Sequence, residues 1–180
     1  FQAAGVAWPA GTFLIRTTGI SREFVAGLAK DLTLEIETGN PPAAGKTAIV
    51  KSPRIALYKP WRASMDEGWT RWILERFEFP YANIENAEIR AGSLRGSFDV
   101  LVIPSMSTDS IVNGFAPGTM PPAYVGGIGD FGVLNIERFV RDGGTLVTLN
   151  SGCAFALDKL HLPVGDAVRS LRRDEGGGAP

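Results

Sequence analysis

Four consecutive apolar residues, Val100-Leu101-Val102-Ile103, stand between Asp99 and Pro104. A strand points alternate side chains to opposite sides, so this run needs cover on both. Sheets provide that cover for parallel strands flanked by helices above and below. Three more segments fit the same sheet: Arg54-Ile55-Ala56-Leu57-Tyr58, Tyr81-Ala82-Asn83-Ile84 and Thr145-Leu146-Val147-Thr148-Leu149-Asn150. Helical patterns separate some of them. Ser64-Met65-Asp66-Glu67 has the form of a capping box. The helix it opens carries Met65, Trp69, Trp72, Ile73 and Phe77 at three- and four-residue spacing, a stripe expected in the core, and Pro80 ends it. A second helix places Val133, Leu134, Ile136, Phe139 and Val140 inward and closes at Gly143-Gly144; a third follows Ser151-Gly152, near Ala154–Leu160. This order of strands and helices predicts an α/β fold, a three-layer sandwich with a mostly parallel sheet and right-handed connections.

The chain has 180 residues, enough for one domain of ordinary size with a real core. Three regions are expected. Residues 1–52 form a joining segment: a strand at Gly11–Ile15, a helix Arg22–Lys30 capped by Ser21, an alternating strand Leu32–Ile36, and a Gly/Pro linker at 39–45. Residues 53–168 form the α/β domain. Residues 169–180, charged and then Gly-rich, form a tail expected to fray. The opening at Phe1, without a leader pattern, reads as a piece of something longer.

Eighteen basic and 19 acidic residues leave a net charge of −1, too little cationic field for a nucleic-acid partner. No apolar run approaches the roughly 20 residues that span a bilayer, so no membrane partner is expected. The single cysteine, Cys153, and the single histidine, His161, exclude an internal disulfide and any site needing two imidazoles within the chain. No metal ligand set and no cofactor is therefore expected here.

In parallel sheets, ligands sit outside the carboxyl ends of the strands. That rule gathers Tyr58–Glu67, Ser105–Thr108 and Asn150–Cys153 around one crevice, with Trp61, Glu67, Ser105, Asn150 and Ser151 as candidate binding residues. Trp61 could stack on a ligand or simply pack. Glu67 could line the crevice, although a first-turn carboxylate favoured by the helix dipole is the plainer reading for Asp66 and Glu67. Residues 105–131 form a long Gly/Pro/Ser-rich loop, a length usually functional or mobile. Two glycine motifs fail their context. Gly45-Lys46-Thr47 has Asn40 where a phosphate loop needs glycine, and strand rather than helix follows. Gly127-Ile128-Gly129-Asp130-Phe131-Gly132 matches a dinucleotide fingerprint, but no good strand precedes it and no acidic residue ends the next strand.

The strand-turn-helix at Thr145–Leu157 has the form of a nucleophile elbow, whose sharp turn exposes one residue beside helix amides. Thr148-Leu149-Asn150-Ser151-Gly152 places Asn150 at the nucleophile position, with Ser151 and Gly152 completing a vestigial elbow. Cys153, one turn into the helix, is the alternative nucleophile, with Glu67 or His161 as its partner; a small buried thiol is the plainer reading. His161 reads as a partly buried structural residue.

Several blocks together carry a family resemblance: Arg54-Ile55-Ala56-Leu57-Tyr58-Lys59-Pro60-Trp61, Met65-Asp66-Glu67-Gly68-Trp69-Thr70-Arg71-Trp72, Phe98–Pro104, Gly126–Gly129 and Gly143–Val147. Over about residues 53–164 the chain resembles the class I glutamine amidotransferase-like domain that follows the catalytic domain in certain bacterial zinc carboxypeptidases of the carboxypeptidase A-like family. The resemblance implies a flavodoxin-like sandwich. It also implies an extracellular or periplasmic parent that hydrolyses peptides with zinc held in a separate domain, that domain being the partner. With Asn150 at the elbow, the chain itself is expected to be a non-catalytic accessory domain. The alternatives are a divergent cysteine hydrolase using Cys153 and a small-molecule-binding module.

Overall fold

The structure, a computed structural model, describes residues 2–3, 6–40 and 47–167. The predicted tail 169–180, linker residues 41–45 and Lys46 of the phosphate-loop motif lie outside the described residues. The chain divides into two compact units, Phe1–Lys51 and Ser52–Pro180.

In the first unit, β1 (Gln2–Ala3) pairs antiparallel with β2 (Val6–Ala7). Helix α1 (Arg22–Asp31) starts where its cap predicts, with Ser21 Oγ accepting from the Phe24 N–H at 3.1 Å. The expected strands at Gly11–Ile15 and Leu32–Ile36 do not form; both segments are turn and irregular chain. Thr33 has φ +52, which breaks an extended run at its second residue. Alternation describes a strand only when a neighbour supplies the ladder, and among the described residues neither segment has one.

The second unit runs β3 (Ile55–Tyr58), α2 (Met65–Arg76), β4 (Tyr81–Ile84), α3 (Asn86–Ala91), α4 (Leu94–Ser97), β5 (Val100–Ile103), α5 (Thr108–Val112), a short 3-10 turn (Pro122–Tyr124), α6 (Gly129–Arg141), β6 (Thr145–Thr148) and α7 (Gly152–Lys159). Its sheet is wholly parallel, in the order β4-β3-β5-β6. It is an α/β fold. Right-handed crossovers in this order put α2 on one face and α3, α4 and α6 on the other. The sequence reading missed α3 and α4, which supply the crossover that a parallel β4-to-β5 connection requires.

Register aligns Ala56 with Leu101 and Leu146, and Leu57 with Val102 and Val147. Ala56, Tyr58, Leu101 and Ile103 join the main core with Ile89 of α3, Ile111 of α5, Ile136 and Phe139 of α6 and Phe155 of α7. On α6, Ile136 and Phe139 are buried and Val133 is half-buried, but Leu134 and Val140, expected inward, are exposed. The reason is angular: Leu134 lies about 160° around the helix from Ile136. Gly144 lets the sheet approach this helix, since a Cβ there would sit 2.5 Å from the Phe139 ring.

The α2 stripe is also corrected. Met65, Trp69, Trp72, Ile73 and Phe77 are exposed, while Glu67 is buried and Arg71 and Leu74 are half-buried. Apolar spacing marks a face that favours burial but does not say which surface buries it. The cap of α2 forms by half: Ser64 Oγ accepts from the Glu67 N–H at 3.2 Å, but the Glu67 carboxylate lies 3.9 Å from Arg71 Nε instead of reaching back.

An ionic clamp holds the amino ends of the two central strands. Asp99 Oδ2 accepts from Arg54 N and Nε, each at 3.0 Å; Oδ1 accepts from Arg54 Nη2 at 2.9 Å and Arg95 Nη1 at 2.6 Å. These donors, the Arg54 side chain first, hold the Asp99 carboxyl well below the usual carboxylate range. A depressed folded-state pKa contributes stability above the unfolded value of about 4 and loses it as the carboxylate protonates. Urea midpoints should therefore fall as pH drops below about 4, and Asp99→Asn should flatten that part of the profile. Separately, Phe139→Ala should lower unfolding free energy by about 3–5 kcal/mol, whereas Leu134→Ala should change it by less than about 0.5 kcal/mol. Denaturant titration of both variants tests which side of α6 faces the core.

Candidate functional site

Two strand ends build the cleft. After β3, the chain supplies Arg62, Ala63, Ser64, Met65 and Asp66; after β5, Ser105, Met106, Ser107 and Ser110, with Phe115 closing one side. The volume is about 510 Å³. Arg62 Nη1 donates to Ser110 Oγ at 3.1 Å, and its guanidinium sits 5.2 Å from the Phe115 ring centre, a cation–π distance. Ser107 caps α5, accepting from the Ser110 N–H at 3.1 Å and donating to Ser110 Oγ at 2.9 Å. Arg62 and Phe115 also border a second cleft of about 860 Å³ under the 112–119 turn.

The expected long loop at 105–131 is tied down. The Tyr58 hydroxyl donates to Asn86 Oδ1 at 2.6 Å, and Asn86 Nδ2 donates to the Gly126 carbonyl at 3.1 Å. Burial pushes the Tyr58 phenol well above its ordinary range, so it remains a donor. Arg90 Nη1 donates to the Gly127 carbonyl, and Ile128 N donates to the Ile111 carbonyl at 2.9 Å. A Cβ at Gly127 would sit 2.3 Å from that Ile111 oxygen, and one at Gly132 would sit 2.5 Å from Ile128 Cβ. Gly127 and Gly132 of the dinucleotide-like motif thus serve close packing, while Gly129 takes a positive φ of +61. Asn86 was invisible to sequence reasoning; the one available signal was a polar residue opening a helix just after a strand.

The elbow exists as geometry. Asn150 has φ +44, the strained left-handed conformation of such a turn, and asparagine tolerates it better than most residues. Gly152 opens α7 against the end of the neighbouring strand β5; a Cβ there would sit 2.8 Å from the Pro104 carbonyl oxygen. Asn150 Nδ2 donates to Ser105 Oγ at 3.2 Å, so the structure brings these two predicted residues together. Ser151 is exposed on the turn beside them. A carboxamide cannot take the serine proton, so this pair contains no base.

The remaining candidates lie apart. Trp61 packs edge-to-face on Tyr124, with ring centres 4.9 Å apart. Glu67 does not line the cleft; it is buried beside Arg71, with Oε1 lacking a hydrogen bond. Cys153 is half-buried and held locally: its thiol donates to the Thr148 carbonyl at 3.3 Å and accepts from Thr148 Oγ1 at 3.5 Å. His161, expected to be partly buried, is exposed; at φ +49 just past the end of α7, it is turned outward. Among the described residues, no three His, Cys, Asp or Glu side chains converge as a metal site, and no helix is long and apolar enough to cross a membrane. No family model, curated protein or solved structure matches the chain.

Iodoacetamide kinetics test the elbow directly. Cys153 in the folded chain should label far more slowly than in urea. A thiol placed at the turn by Asn150→Cys should label fast, with an apparent pKa below the free value of about 8.5 because the α7 amides face it. Equal rates for the two positions would contradict the geometry.

Proposed function

We propose that this chain is a catalytically silent accessory domain, class I glutamine amidotransferase-like and flavodoxin-like in architecture, of a secreted zinc carboxypeptidase. The strand order supports the architecture: numbered from β3 within the parallel sheet, it reads 2-1-3-4, the first four strands of the flavodoxin order. Silence rests on one observation above the others. The elbow position carries a carboxamide bonded to Ser105, while the nearest thiol is committed to Thr148. Covalent acyl transfer needs a nucleophile within reach of a base, and neither residue has one. The carboxypeptidase parent rests on the sequence blocks around Tyr58–Trp61 and Asp66–Trp72 that carry the family resemblance. Zinc and peptide hydrolysis then belong to the separate domain, in an extracellular or periplasmic setting. The role of this domain is to bind that partner or to hold a small polar ligand in the cleft of Arg62, Ser64, Ser105 and Ser107.

The test uses the full-length parent. Replacing Asn150 and Cys153 together by alanine should leave chelator-sensitive release of C-terminal residues from peptides within about twofold of wild type. Loss of that activity in a protein with an unchanged melting profile would assign chemistry to the elbow. Absence of any chelator-sensitive peptide hydrolysis in the wild type would remove the parent assignment.

A further inference from the structure

Helix α2 wears its apolar stripe on the outside. Met65, Trp69, Trp72, Ile73 and Phe77 are 77%, 58%, 54%, 49% and 68% exposed. Buried Glu67 and half-buried Arg71 and Leu74 mark the opposite side. Trp69 and Trp72 meet edge-to-face with ring centres 6.0 Å apart, so the stripe is continuous. Scattered exposed apolar residues need no explanation, but five large ones along three turns of one helix form a patch of the kind that binds another surface.

Two charges share this stripe. Asp66 stands in the first turn and Arg76 in the last, and both are exposed. Neither has an ion-pair partner among the described residues. They lie about 15 Å apart along the axis, one at each end of the apolar centre. This pattern is complementary to itself when reversed. An antiparallel copy crossing near position 71 sets Asp66 against the partner's Arg76, Met65 against the partner's Phe77, and Trp69 against the partner's Ile73. A two-fold axis then repeats each contact, and the two helix dipoles oppose favourably. A parallel copy would set Asp66 against its own equivalent. A lipid surface would gain nothing from an acidic residue inside the stripe, and an unrelated protein would not require the reversal symmetry.

We propose that α2 is the interface of a homodimer in which two copies of this chain pair antiparallel through Trp69, Trp72 and Ile73, with Asp66–Arg76 ion pairs at both ends. This inference does not depend on the peptidase assignment. It does bear on the cleft. Met65 and Asp66 line its edge, so pairing brings the partner's Arg76 and Phe77 to its rim, beside a cavity that already holds Arg62.

Sedimentation equilibrium of the 180-residue chain, from about 1 to 100 μM, should give a dimer with micromolar dissociation, and tryptophan emission should shift to the blue as it forms. Trp72→Glu should weaken association by at least about tenfold while leaving the melting profile unchanged, since the residue touches solvent in the monomer. Asp66→Arg and Arg76→Asp should each weaken it, and the double reversal should recover wild-type affinity within about threefold. A chain that stays monomeric at about 100 μM overturns the proposal and leaves the stripe to a different protein. A dimer indifferent to Trp72→Glu overturns it in favour of another face. Failure of the double reversal to recover overturns the antiparallel arrangement, provided that circular dichroism shows α2 folded in each variant.

Discussion

The parallel pairing of β3 with β5 is the constraint from which the rest of the structure follows. Parallel strands cannot be joined by a tight turn, so every connection must leave the sheet and cross it as a helix. Ile55–Tyr58 is apolar throughout and buried throughout, which obliges cover on both faces. The two faces are covered unequally. On one, α3, α5 and α6 converge with a core that includes Ile89, Ile111, Ile136 and Phe139. On the other, α2 packs on β3, and the neighbouring Val100, Val102 and Val147 are only half-buried. Each fully buried Leu or Ile is worth about 1.5–3 kcal/mol, so stability is concentrated on the first face and the second is the adaptable one.

Much of this was legible from residue types at fixed offsets. Ser21 and Ser64 announced α1 and α2 because a side-chain oxygen at a helix start has one use, and both are bonded as that use requires. All four segments became strands of the parallel sheet; β3 and β5 are apolar throughout, whereas the edge strand β4 carries Asn83 and exposes it. What failed were inferences about partners. Leu32–Ile36 alternates like a strand but has no neighbour among the described residues with which to form a ladder. Leu134 belongs to an apolar run without belonging to the buried side of its helix. Trp69 and Trp72 were placed in the core because amphipathic spacing was read as burial by this domain. The crossover helices α3 and α4 are six and four residues long, too short for a 3.6-residue period to emerge.

A cleft lies at the carboxyl ends of β3 and β5, and of the segments expected around it only parts of Tyr58–Glu67 and Ser105–Thr108 line it; Asn150–Cys153 do not. Ser105 and Asn150 meet as the topology demands. Arg62 and Ser110 do not appear in any motif; a lone arginine in a loop carries no signal until the fold sets it over Phe115. Asn86 is the same case. Its amide joins Tyr58, 28 residues before it, to Gly126, 40 residues after it, and only the assembled fold brings the three together.

The elbow's geometry stands without a nucleophile at its bend. Gly152 is required because the α7 backbone passes within van der Waals contact of Pro104, and this is packing, independent of any reaction. The positive φ at the turn follows from the same close passage, and asparagine bears that strain at lower cost than most side chains. Asn150 fits the bend that joins β6 to α7, and its carboxamide cannot attack a carbonyl. The amide donates to Ser105, a residue of the cleft lining, in a neutral hydrogen bond. Arg62 and Asp66 are the charged side chains of the lining and set the cleft's electrostatics. Because Asp66 also stands on the outer stripe of α2, whatever covers that stripe changes the charge presented to the cleft.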